Sequence, residues 1–170
     1  YVDDILIDDS PIYRDVLMVE AWNRAPKSVE SGFGYIPMLQ LNLSTSTNRI
    51  TVTSIKIDIS GSPPNENDIV AAELWEDFGN DIPEPGIDAV LDSKPIPFPI
   101  VFNINLEVSP PYPAKLFIVY YTGMCTPGNW IGVSMANNTY ITVADGDLVS
   151  PANFPINTYI PGERTQFTLS

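Results

Sequence analysis

Apolar and polar residues alternate along several stretches of the chain. Leu39, Leu41 and Leu43 alternate with Gln40 and Asn42, and Ile55, Ile57 and Ile59 alternate with Lys56 and Asp58. A period of two puts each apolar set on one face of a half-buried strand. Residues 45–49, Thr-Ser-Thr-Asn-Arg, form the expected turn between these two strands. Phe98, Ile100, Phe102, Ile104, Leu106 and Val108 share one phase, which predicts a strand face directed into a core. Pro97 and Pro99 place the start of that stretch at an edge or outside the ladder. Residues 114–121 are apolar enough to lie centrally in a sheet, and residues 69–74, 129–136, 140–143 and 165–169 read as further strands.

The remaining segments punctuate this pattern. Pro63 and Pro64 forbid regular structure in the loop 61–67, and Pro26 with Gly32 and Gly34 marks turns before the Leu39 strand. Roughly eight to ten strands, with no helical periodicity and no strand-helix-strand rhythm, predict an all-β antiparallel sandwich of jelly-roll type. An immunoglobulin-like sandwich is the competing topology. The first 24 residues behave differently. Asp3-Asp4-Ile5-Leu6-Ile7-Asp8-Asp9 is an apolar run clamped by acidic pairs, Pro11 follows, and residues 12–22 read as extended. The expected organisation is therefore an N-terminal arm, 1–24, and a sandwich domain, 25–170.

Composition supports strands joined by turns, with 17 Pro, 10 Gly and 8 Tyr in 170 residues. Eight basic residues against 21 acidic ones give a net charge of -13, which repels phosphate backbones and argues against a nucleic-acid partner. There is no histidine, so Ser-His-Asp and Cys-His chemistry is excluded. The single cysteine, Cys125, forms no intramolecular disulfide and no thiolate metal site, and is expected to be a buried apolar residue near a strand end. The chain has no apolar run long enough to span a bilayer as a helix, and it begins at Tyr1, which suggests a processed N-terminus. Asn42-Leu-Ser44 and Asn137-Asn-Thr139 are glycosylation sequons that fit export.

One segment concentrates charge. Residues 72–92 carry seven acidic side chains in 21 positions. Calcium takes six to eight oxygens, and Asp77, Asn80, Asp81, Glu84 and Asp88 on a glycine-punctuated loop could supply several. The spacing departs from that of an EF-hand, and Pro83 and Pro85 stiffen the loop, so a calcium site and a plain solvated loop both stay open. No carboxylate pair is aimed into a cleft by the strand pattern, no phosphate-cradling glycine loop is present, and no enzymatic activity or soluble small-molecule substrate is expected. Trp22, Trp75, Trp130, Tyr120, Tyr121 and Tyr140 would serve a glycan-binding module, although strand aromatics more often pack a core.

The order of segments 17–23, 25–28, 34–43, 51–61 and 69–77, followed by 115–121, 130–136 and 138–143, resembles secreted archaeal β-domains. With one such domain and an added arm, the chain is similar to subunits of archaeal extracellular filaments, the threads, bundling pili and cannulae, and distantly to the TasA matrix fibre protein. That resemblance implies a secreted jelly roll at the cell surface whose N-terminal strand completes the sandwich of the next copy, giving a homopolymer. It further implies carbohydrate on Asn42 and Asn137 and calcium in the acidic loop, which would occupy residues 77–92. Under it, Ile5, Ile7, Val16, Met18 and Trp22 would be donor residues, plugging a groove walled by Phe102, Ile104, Leu106 and Phe117. Its partners would be copies of itself, with contacts to the cell surface or neighbouring filaments. The alternative expectation is an adhesin or glycan-binding domain of a larger surface protein.

Overall fold

The computed structural model describes residues 14–30, 32, 34–61, 68–158 and the backbone of 165–168. Its strands are β1 (Val16–Asn23), β2 (Ser28–Glu30), β3 (Gly34–Ser44), β4 (Ile50–Gly61), β5 (Ile69–Glu76), β6 (Ala89–Pro95) and β7 (Ile100–Val108). They continue with β8 (Ala114–Thr122), β9 (Trp130–Met135), β10 (Ile141–Val143), β11 (Leu148–Val149), β12 (Ile156–Asn157) and β13 (Thr165–Thr168). A 3-10 turn, Asn138–Tyr140, precedes β10. One sheet runs β11-β1-β3-β8-β5-β6, and the other runs β10-β4-β9-β13-β2, with β7 on the far side of β4 and β12 on β9. The fold is an all-β sandwich of two packed sheets.

The alternation read from sequence fixes which faces meet. Leu39, Leu41 and Leu43 of β3, Ile55 and Ile57 of β4, Phe102 and Val108 of β7 and Leu116, Ile118 and Tyr120 of β8 are all buried in one core cluster. Each such large apolar side chain contributes about 1.5–3 kcal/mol on burial. β8 lies between β3 and β5, as its continuous apolar character predicts. A second, smaller cluster of Trp75, Phe117 and Val119 lies on the opposite face of the same sheet. Tyr35 covers it, its ring 5.4 Å from Trp75 and 4.9 Å from Tyr121.

Turn chemistry closes the strands. Thr45 Oγ1 donates to Asn48 O (2.9 Å) between β3 and β4, and Asp15 receives Thr47 Oγ1 and Asn48 Nδ2 from that turn. Between β10 and β11, Asp145 and Gly146 adopt φ of 59° and 72°, the left-handed conformation that Asp and Gly tolerate best. Asp68 is buried and receives Thr126 N (2.7 Å) and Asn129 Nδ2 (2.8 Å), which pins the loop before β9. Cys125 is buried beside it, as expected. At the other side of the sandwich, Asn103 N of β7 donates to Asp92 Oδ2 of β6 (2.8 Å), tying one sheet to the other.

Two boundaries differ from the sequence reading. Residues 89–92, assigned to the acidic loop, begin strand β6, which pairs with β5 from Ala71↔Pro95 to Glu76↔Ala89. Its edge position leaves both faces partly wet, so no clean alternation marks it. In the 1–24 arm, residues 1–13 lie outside those described, while β1 is an integral strand of this chain's own sandwich. It pairs antiparallel with β3 from Met18↔Ser44 to Asn23↔Leu39.

Candidate functional site

In an antiparallel ladder successive residues turn their backbone groups to opposite sides. Arg24 N donates to Met38 O (3.0 Å), so the even-numbered residues of β1 face β3 and the odd-numbered ones face away from it. On that outer side Asp15 O and Leu17 O accept from Leu148 N and Ser150 N, each at 2.9 Å. The two-residue β11 then ends before Pro151, which has no N–H to extend the pairing. Asn153, at φ 70°, takes over with its side chain, Nδ2 donating to Val19 O at 2.9 Å. Beyond this point the N–H and C=O of Ala21 have no partner among the described residues.

Beside this free stretch of edge runs a groove of about 520 Å³ between β1 and β12. Ala21 and the buried Leu39 and Ile156 give it apolar lining, and Trp22, Asn153 and Thr158 add aromatic and polar surface. Asn23 Nδ2 donates to Thr158 O (3.3 Å), linking β1 to the chain just past β12. Thr158 Oγ1 also accepts from Val133 N (2.8 Å), so this wall is anchored to β9 in the second sheet. A sheet edge with unpaired backbone groups above a trench of mixed polar and apolar lining can receive one more extended segment. Asn153, Ile156 and Thr158 were not singled out from sequence. The only local signal is the turn chemistry around Asn153 and Pro155.

The expected donor residues divide between the first 13 residues and β1. Ile5 and Ile7 lie outside the described residues. Val16, Met18 and Trp22 are on the outer face of β1, 39%, 42% and 41% exposed, whereas Leu17 and Val19 fill the core. The pleat admits one of the two sets, and the inward one is the set not chosen. The four expected groove residues do not form one wall. Phe102 and Leu106 are buried in the main core with Ile104 packed against it, while Phe117 belongs to the opposite face of its sheet with Trp75.

The acidic loop between β5 and β6 is internally cross-braced. Asp77 accepts from Asn80 N (3.4 Å) and Asp81 N (3.0 Å), and Asp88 accepts from Glu84 N (2.7 Å). Asn80 Nδ2 donates to Glu84 Oε2 (2.7 Å). Asp81 Oδ1 receives Lys115 Nζ at 2.8 Å and Gln40 Nε2 at 3.1 Å, and Arg24 donates to the same Gln40 through Oε1. The hydrogen bond from Lys115 is the main reason the Asp81 carboxyl sits below its ordinary pKa. Thus the five residues expected to bind calcium are engaged as turn caps and a latch onto the sheet. Among the described residues no three His, Cys, Asp or Glu side chains are grouped to hold a metal ion.

The two sequons differ in setting. Asn42 is half-buried in β3, paired with Glu20 on one side and Lys115 on the other. Asn137 is exposed and caps the 3-10 turn, its Oδ1 accepting from Thr139 N at 2.9 Å. Elsewhere, burial raises the Tyr120 pKa well above the ordinary phenol range, with its hydroxyl donating to Gly132 O at 2.8 Å. A hydrogen bond to Asp58 raises that of Tyr140, and burial raises that of the Cys125 thiol, which disfavours the reactive thiolate. Comparison of the sequence with protein-family models and with curated proteins finds no match in either.

Proposed function

We propose that the chain is the structural subunit of an extracellular filament, a jelly-roll sandwich that polymerises head-to-tail when the N-terminal segment of one copy enters the sandwich of the next. The observation that carries this reading is the β1 edge at Ala21, unpaired among the described residues, beside the 520 Å³ groove. The segment best suited to it is Ile5-Leu6-Ile7, an apolar run bounded by acidic pairs and separated from β1 by Pro11. An added strand would hydrogen-bond to the edge and place alternate side chains in the trench, each large one contributing about 1.5–3 kcal/mol before ordering costs. A donor on one face and an acceptor elsewhere make a heterologous contact, which propagates as an open polymer. With -13 charges per copy, assembly should strengthen as salt or divalent cations screen the repulsion.

The donor in this reading is the segment before β1, because β1 itself supplies Leu17 and Val19 to its own core. Two variants test it. Deleting residues 1–13 removes the donor and should leave a folded monomer. Ala21→Pro removes one edge N–H at a position where proline is tolerated, since that N–H makes no hydrogen bond among the described residues. It should block polymerisation with little change in thermal stability. Polymers of normal length from either variant would refute the assignment of donor or acceptor.

A further inference from the structure

We infer that Asn137, and not Asn42, is the asparagine that accepts an N-linked glycan on the folded protein. Both sit in an Asn-X-Ser/Thr sequon, so sequence treats them alike. The fold separates them. Asn42 lies near the C-terminal end of β3, still with strands on both flanks, and its Oδ1 receives Gln40 Nε2 at 3.2 Å. A glycan there would have to emerge from the continuous surface of a six-stranded sheet, beside the latch of Arg24, Gln40, Asp81 and Lys115.

Asn137 is exposed at the start of a one-turn 3-10 helix. Thr139 contributes both its backbone N–H and its Oγ1 hydroxyl to Asn137 Oδ1, while Asn137 Nδ2 has no hydrogen-bond partner among the described residues. The sequon hydroxyl and the acceptor carboxamide are thus already in contact, and the nitrogen that must react is the uncommitted end. Asn138, between them, is anchored by Nδ2 to Val149 O at 2.7 Å, so the turn is held without Asn137. Beside the turn runs a shallow trough of about 340 Å³ that includes Thr139, Thr142, Asp147 and Leu148. Its hydroxyls, carboxylate and exposed leucine suit the mixed polar and apolar faces of a first sugar.

The step is a glycosyl transfer. Asn137 Nδ2 bonds to the anomeric carbon of a sugar carried on a polyprenyl diphosphate. The bond from that carbon to the phosphate oxygen breaks, the diphosphate departs with the electron pair, and Nδ2 gives up one proton to a base of the transferase.

The test uses the folded full chain, a polyprenyl-diphosphate oligosaccharide, and an oligosaccharyltransferase first shown to glycosylate the isolated peptides 39–47 and 134–142. Intact mass should rise by one glycan, and peptide mapping should place it at residue 137. Asn137→Gln and Thr139→Ala should abolish the mass step, Thr139→Ser should restore it, and Ser44→Ala should leave it unchanged. An unmodified folded chain, a glycan lost on Ser44→Ala, or one retained on Asn137→Gln would each overturn the inference.

Discussion

Exchanging the two neighbours Leu17 and Met18 for alanine, one at a time, asks which face of β1 carries its packing. Leu17 is fully buried, and its replacement removes about three carbons at about 0.8 kcal/mol each from the core, before any cavity cost. With the cavity included, Leu17→Ala should cost about 3–4 kcal/mol. For a chain of this length that lowers the melting temperature by roughly 6–16 °C. Met18 is 42% exposed, so Met18→Ala should cost only about 0.5 kcal/mol. Urea titration of both variants at two protein concentrations reads the difference as a shift in midpoint at constant slope. With residues 1–13 deleted from both variants, so that assembly adds no concentration dependence of its own, neither midpoint depends on concentration if β1 is supplied within the chain; a strand borrowed from another copy would make the Leu17→Ala loss concentration-dependent. A larger loss for Met18→Ala than for Leu17→Ala would refute the assignment of the inward face.

Two predictions concern pH. Because burial raises the Tyr120 pKa in the fold, the stability it carries is complete below the ordinary tyrosine range, about pH 10, and falls as pH rises through that range toward the raised value. Tyr120→Phe should flatten this alkaline loss in thermal melts, and an unchanged alkaline limb would count against it. The Asp81 carboxyl is lowered, so its latch to Lys115 is complete above the ordinary carboxylate range and is lost as pH falls through the folded value. Hydrogen exchange in residues 77–88 should therefore accelerate in acid, and Lys115→Met should give that faster exchange already at neutral pH; equal protection in the variant would remove the latch from the account.

The strands that were legible in the sequence are those with one wet and one dry face. Leu39, Leu41 and Leu43, and the run from Ile100 to Val108, alternate because their apolar side faces the core, where the structure places them, although Gln40 on the other face of β3 is buried as well. β6 was hidden because an edge strand needs no apolar phase, and β2, β11 and β12 because two or three residues are too short to show a period. β1 was legible as extended but not in phase: Val16, Met18 and Trp22 are as apolar as Leu17, Val19 and Ala21, so composition could not choose between its faces. Phe117 was misplaced for a related reason, since β8 is apolar on both sides and its outer face carries the second cluster. The groove itself was not legible. It depends on where β11 stops and on the side chain of Asn153 reaching Val19, relations over more than a hundred residues that no local pattern encodes.

The acidic loop teaches the complementary point. Its composition left an ion site and a plain solvated loop both open, and calcium and turn capping ask for the same oxygens. Asp77 and Asp88 cap amides three or four residues away, and Asp81 reaches Lys115 and Gln40 on the neighbouring strands. Sequence spacing shows that carboxylates are close, whereas only their orientation shows what they hold.

The central claim, that copies join through the β1 edge, is tested most directly by negative-stain electron microscopy of the whole chain beside Ala21→Pro, at matched concentration and salt. The account predicts regular filaments from the unaltered chain and dispersed particles from the variant. Compact monomers from the unaltered chain across concentration, salt and pH would contradict it, and saturable sugar binding by those monomers would place the protein among glycan-binding surface domains instead.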